Sequence, residues 1–175
     1  MYFEELITIP YHEGDGSYFV RNDGVILNRH GSILRTTPNQ SGSISVTLRA
    51  DGRYITRSVS RMVAEVFVPK EGRPEYYSRY NTVIHRDGDK TNYQASNLAW
   101  RSRSYAIKYH RQFEYTYFNI MAVKLEVEGT GEVFNNIREL CVHYGVLAER
   151  VLMMADNVSE PIWPIMRRII FRPDL

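Results

Sequence analysis

The chain carries one cysteine, Cys141, in 175 residues, so neither an intrachain disulfide nor a cysteine zinc cluster can be built from it. No apolar run approaches the roughly 18 to 20 residues of a membrane span. Glu4 and Glu5 stand where a secretion signal would place positive charge. A cytosolic protein with no membrane contact is the expectation. A strong excess of one charge is also missing: the formal net charge is +2, too small to identify a partner by itself. An apolar share of 43% still suffices for an ordinary core, in one domain or two small ones.

What charge there is lies unevenly. Residues 69–118 hold nine basic side chains against five acidic, whereas residues 1–68 hold seven of each and residues 119–175 hold six against eight. Phosphate binding depends on such local clusters, although a charge run taken alone is more often a solvated face. Residues 6–59 read as β-hairpins, because short apolar runs such as Tyr18-Phe19-Val20, Val25-Ile26-Leu27 and Ile44-Ser45-Val46-Thr47-Leu48 alternate with Asn22-Asp23-Gly24 and Ala50-Asp51-Gly52 turns. Arg49, Arg53 and Arg57 suit a DNA-facing edge, or equally an ordinary exposed strand. Met62, Val63, Val66 and Phe67 then share one helix face. Tyr76, Tyr77, Arg79 and Tyr80 crowd the loop that follows, which fits contact with nucleic acid or with protein.

Residues 83–110 are the most informative stretch. Val83, Ile84 and His85 read as a strand and Asp87-Gly88-Asp89 as its turn; Asn92 and Asn97 punctuate the approach to a buried Leu98 and Trp100, and Ser102 or Ser104 caps a following helix. This order, with His85-Arg86-Asp87-Gly88 and Asn97-Leu98-Ala99-Trp100, resembles the ββα-metal core of the HNH nucleases, in particular the homing endonucleases of phages and introns. Arg61-Met62-Val63-Ala64-Glu65-Val66-Phe67 is similar to the helix that precedes that core, and the hairpins before it look like the family's β module. The resemblance implies an α+β fold in three parts: an N-terminal β module over 1–58, the HNH-like core over 59–118, and a C-terminal hairpin with a helix-turn-helix-like pair over 119–175.

It also implies roles. His85 falls at the general base and Asn97 at the residue that orients its loop. The family's metal ligands fall on Ile84 and Ala106, and neither can hold a hard cation, which needs oxygen donors. No metal is therefore expected at those seats. Asp87 and His110 are the candidates for a displaced site, which would take magnesium or manganese if the protein cuts DNA. The expected partner is double-stranded DNA, held by Arg86, Lys90, Arg101, Arg103, Lys108 and Arg111. The leading expectation is a phage-type DNA-binding protein, descended from an HNH endonuclease, with cleavage lost or reduced. An active nickase is the first alternative. The second is a phage structural or host-protein-binding protein that reuses the fold, in the host cytoplasm or on the virion.

Past the core, Tyr105 to Phe118 is rich in rings and cations, and Met121 to Phe134 reads as a hairpin. Asn135 or Asn136 caps a helix from Ile137 to Tyr144, Gly145 ends it, and a second helix runs from about Leu147 to Ala155. Glu149, Arg150, Met153 and Met154 are poor material for reading a DNA groove. The tail from Ser159, with Trp163, Pro164, Arg167, Arg168 and Arg172, is expected to fold back and add phosphate contacts.

Overall fold

A computed structural model describes residues 6–12, 17–40, 42–72, 74–115, 118, 124–155, 165 and 169–172. The chain is α+β, with small antiparallel sheets and short helices in two compact units, one formed by residues 1–70 with 89–100 and the other by 71–88 with 101–175. Among the described residues no helix is long and apolar enough to cross a membrane.

In the first unit, strands β1 (Thr8–Pro10), β2 (Tyr18–Arg21) and β3 (Ile26–Asn28) form one antiparallel sheet, and β4 (Thr36–Pro38), β5 (Ile44–Ala50) and β6 (Arg53–Ser58) form another. The β5–β6 turn places Asp51 at φ 50 and Gly52 at φ 74, the paired left-handed residues that a two-residue hairpin requires and that Asp-Gly supplies. Along β5 burial alternates: Val46 and Leu48 point inward, while Thr47 and Arg49 face solvent. Helix α1 (Val59–Phe67) packs its buried Val59, Met62, Val63 and Ala64 onto β2, β5 and β6. Its last turn is closed from a distance, since the Trp100 indole Nε1 donates to the Val68 carbonyl at 2.9 Å. Trp100 lies in β8 (Leu98–Arg101), which is buried along its whole length.

The second unit contains a 3-10 turn over Pro74–Arg79, strand β7 (Thr82–His85) and helix α2 (Arg103–Gln112). Strands β9 (Lys124–Val127), β10 (Val133–Phe134) and β11 (Ile169–Arg172) follow in a sheet of order β10-β9-β11, with helices α3 (Ile137–Tyr144) and α4 (Ala148–Ala155) before the last strand. Leu125, Val127, Ile137, Leu140, Cys141, Val146 and Val151 build one core cluster with Phe118 and Ile169. Local chemistry sets the helix ends. The Ser102 hydroxyl accepts from Tyr105 N at the start of α2, and Asn136 and Glu139 bond reciprocally at the start of α3. Gly145, at φ 62, turns the chain left-handed after α3. Of the expected tail contacts, Ile169–Arg172 pairs antiparallel with β9. Trp163, Pro164, Arg167 and Arg168 lie outside the described residues, as do Met121 to Val123 of the expected hairpin.

Candidate functional site

His85 ends β7 with its side chain buried, and its ring centroid lies 5.9 Å from that of His110 on α2. These two sequence-predicted residues are thus brought side by side. Gly88 N donates to His85 O at 3.0 Å, closing the turn that carries Asp87. A side chain at Gly88 would meet trouble twice, because its φ is +83 and an added Cβ would stand 2.8 Å from the Phe113 ring. That ring is held edge-on by Tyr109 and Phe118. Gly88→Ala is expected to cost about 2–3 kcal/mol, from left-handed strain plus overpacking. Gly31→Ala, at φ +78 with nothing within 4 Å of the added carbon, should cost only the strain. The two urea midpoints separate these effects.

Ile84 is fully buried, and its Cδ1 lies 3.2 Å from where a Cβ on Gly145 would sit. Ala106 is 3% exposed on the inner face of α2. Both positions that the resemblance assigns to metal ligands therefore carry buried hydrocarbon. Among the described residues no three His, Cys, Asp or Glu side chains are grouped to hold a metal ion. Ile84 and Ala106 offer no donor atoms to the divalent cation that the resemblance implies.

Asn97 belongs to the first unit, where its Nδ2 donates to Asn92 O at 3.0 Å and ties the loop from Asn92 to Asn97. The Asp89 carboxylate accepts from Thr91 N and from the Thr91 hydroxyl in the same loop, and Ala95 N bonds Asn22 O. Tyr93, packed against Gly24, has its hydroxyl pushed up by burial and by the Asp89 charge.

The six arginines and lysines expected on DNA have different fates. Arg101 is not a surface cation: it is fully buried, and its guanidinium donates to Glu71 Oε2 at 2.9 Å, Tyr144 O at 3.0 Å and Gly145 O at 3.2 and 3.3 Å. Arg86 is committed in the same way, to His143 O at 2.6 Å and Glu71 Oε1 at 3.2 Å. Both hold the carbonyl end of α3, where orphan acceptors and the negative end of the helix dipole favour cations. Arg103, Lys108 and Arg111 are exposed on α2, and Lys90 is half-buried in the first unit. Lys108 pairs with Glu149 at 3.2 Å, both well exposed.

Three neighbours of this network were not foreseen as site residues. Tyr109 places its hydroxyl between the carbonyls of Arg86, 2.7 Å, and Cys141, 3.0 Å. The Tyr105 hydroxyl donates to Gly145 O and accepts from Leu147 N, both at 3.1 Å; burial pushes its pKa up to about 12, so it remains a donor at neutral pH. Gln112 bonds Val146 O and Ala148 N, capping α4. The only signal was their place among the rings after the core. A cleft of about 200 Å³, lined by Lys108, Arg111, Gln112, Tyr115, Leu147 and Glu149, lies beside the α2 cations. It is smaller than the usual small-molecule pocket.

Comparison with known proteins finds part of this chain similar to an HNH endonuclease. It is 31% identical over 84 residues to an uncharacterized HNH endonuclease of Acanthamoeba polyphaga mimivirus, a match covering 48% of this chain and 24% of that protein. The chain thus spans about a quarter of the length of that relative. A solved structure of the HNH homing endonuclease I-HmuI, concerned with its DNA binding and cleavage, aligns over 90% of this chain and 92% of its own, with a TM-score of 0.45 and 18% identity. No protein-family model matches.

Proposed function

We propose that the chain binds double-stranded DNA through the exposed basic face of α2, and that cleavage at its HNH-like centre is lost or much reduced. The observation that carries this reading is the pair of buried apolar side chains, Ile84 and Ala106, at the seats where the resemblance implies metal ligands. A hard cation needs oxygen or imidazole donors to stabilise charge on a scissile phosphate, and hydrocarbon offers none. His85 keeps the position that the resemblance gives to a general base, but Ile84 and Ala106 offer no cation ligands beside it, so no hydrolytic step is assigned to it. Arg103, Lys108 and Arg111 are the phosphate contacts of the proposal. A viral origin and action in the host cytoplasm belong to the same reading, supported by the viral relative.

A second reading keeps the enzyme. The closeness of His85 and His110 favours it, since two imidazoles at 5.9 Å with Asp87 on the intervening turn are the start of a displaced site. Supercoiled plasmid incubated with magnesium and with manganese decides between the two, beside a His85→Ala control. The expected outcome is bound plasmid with no His85-dependent nicking. Nicks that appear with either metal and vanish in His85→Ala establish the second reading and end the first.

A further inference from the structure

Six polar backbone groups around the α3–α4 turn are met by side chains from elsewhere in the same unit, while the amides of Gly145 and Val146 bond Cys141 O. The His143 carbonyl accepts from Arg86, that of Tyr144 from Arg101, that of Gly145 from Arg101 and Tyr105, and that of Val146 from Gln112. The amides of Leu147 and Ala148 donate to Tyr105 and Gln112. Glu71 links the two arginines, one carboxylate oxygen to each. One end of this network is the residue directly after His85. The other is the turn that a free helix-turn-helix would leave to water.

We propose that Glu71, Arg86 and Arg101 are positioning residues that fix His85 by fastening its strand to the carbonyl end of α3. The α3–α4 pair is then part of the His85 centre and does not move as a separate reading head. Two cations share one carboxylate, and the excess positive charge is balanced by the aligned carbonyls of α3. Gly145 suits the fit, since its φ is +62 and a Cβ there would stand 2.8 Å from Arg101 Nη2, which would have to shift. The Tyr109 hydroxyl adds a second tie, from the Arg86 carbonyl to that of Cys141. The inference deepens the DNA-binding reading, since a duplex held on α2 or α4 would be registered against His85 by these bonds.

The test uses the isotope-labelled full chain without DNA, so its failure is distinct from failure of the DNA-binding reading. Glu71→Ala and Glu71→Gln are compared with the wild type by the NMR signals of the His85 ring and by amide exchange at Val146, Leu147 and Ala148. The expected result is a shifted or broadened His85 ring signal in both variants and turn amides that exchange on the order of tenfold faster, with the exposed His30 ring unchanged. A merely structural acid would loosen the turn and leave the His85 ring signal where it was. Either variant folded with the His85 ring signal at its wild-type value, whether or not the turn amides exchange faster, overturns the proposal. If Glu71→Ala fails to fold, Glu71→Gln and Arg86→Lys carry the same comparison, the lysine being expected to restore only part of the wild-type His85 signal.

Discussion

Arg101→Ala is expected to lower stability by about 3–5 kcal/mol, because removing one member of a buried charge network strands the others. The side chain is fully buried and makes four hydrogen bonds, to the Glu71 carboxylate and the Tyr144 and Gly145 carbonyls, with the Tyr105 ring centroid 5.8 Å from its guanidinium carbon. Glu71 is partly exposed, so its share of the pairing is screened by solvent. The larger loss comes from the Tyr144 carbonyl, which loses its guanidinium donor while that of Gly145 keeps the Tyr105 hydroxyl, and from the cavity where the guanidinium lay. For a chain of this size the melting temperature should fall on the order of 10 °C. The measurement is a thermal melt without DNA. A variant that melts like the wild type but binds duplex more weakly would return Arg101 to the surface role that its sequence context suggests.

That contrast shows where the sequence is informative and where it is silent. The ends of α2 and α3 were legible because Ser102, Asn136 and Gly145 act within a few residues of themselves, through short side chains or a left-handed turn. The β5–β6 hairpin was legible for the same reason, in Asp51-Gly52. His85 could be placed at the end of a strand by the turn that follows it. The fate of the arginines was not legible. Arg101 closes an apolar run, Leu98-Ala99-Trp100, which hints at burial, but its acceptors lie 30 and more than 40 positions away. Nothing local to Glu71 predicts that it bridges two cations. Ile84 and Ala106 were readable as non-ligands from their chemistry alone, whereas the closeness of His85 and His110 needed coordinates.

Replacing Arg103, Lys108 and Arg111 together by alanine should weaken duplex binding about equally for unrelated sequences and flatten its salt dependence. Each phosphate neutralised on B-form DNA contributes a slope of about 0.9 in the logarithm of affinity against the logarithm of salt, so three lost contacts remove between about two and three. The folded state should barely respond. All three side chains are exposed, and the Lys108–Glu149 pair is a surface ion pair between mobile groups, the kind worth little. Melting within about 0.5 kcal/mol of the wild type is therefore expected beside the large change in binding, the reverse of the Arg101→Ala pattern. Titration of a labelled duplex across a salt series, with a thermal melt on the same sample, reads both quantities. An unchanged slope with DNA still bound would move the duplex off α2 and onto other cations, with Arg49, Arg53 and Arg57 of the first unit the next to test. Loss of slope without loss of stability would mean that α2 has divided its two faces between jobs, the inner one holding Tyr105 and Gln112 on the α3–α4 turn and the outer one holding phosphate.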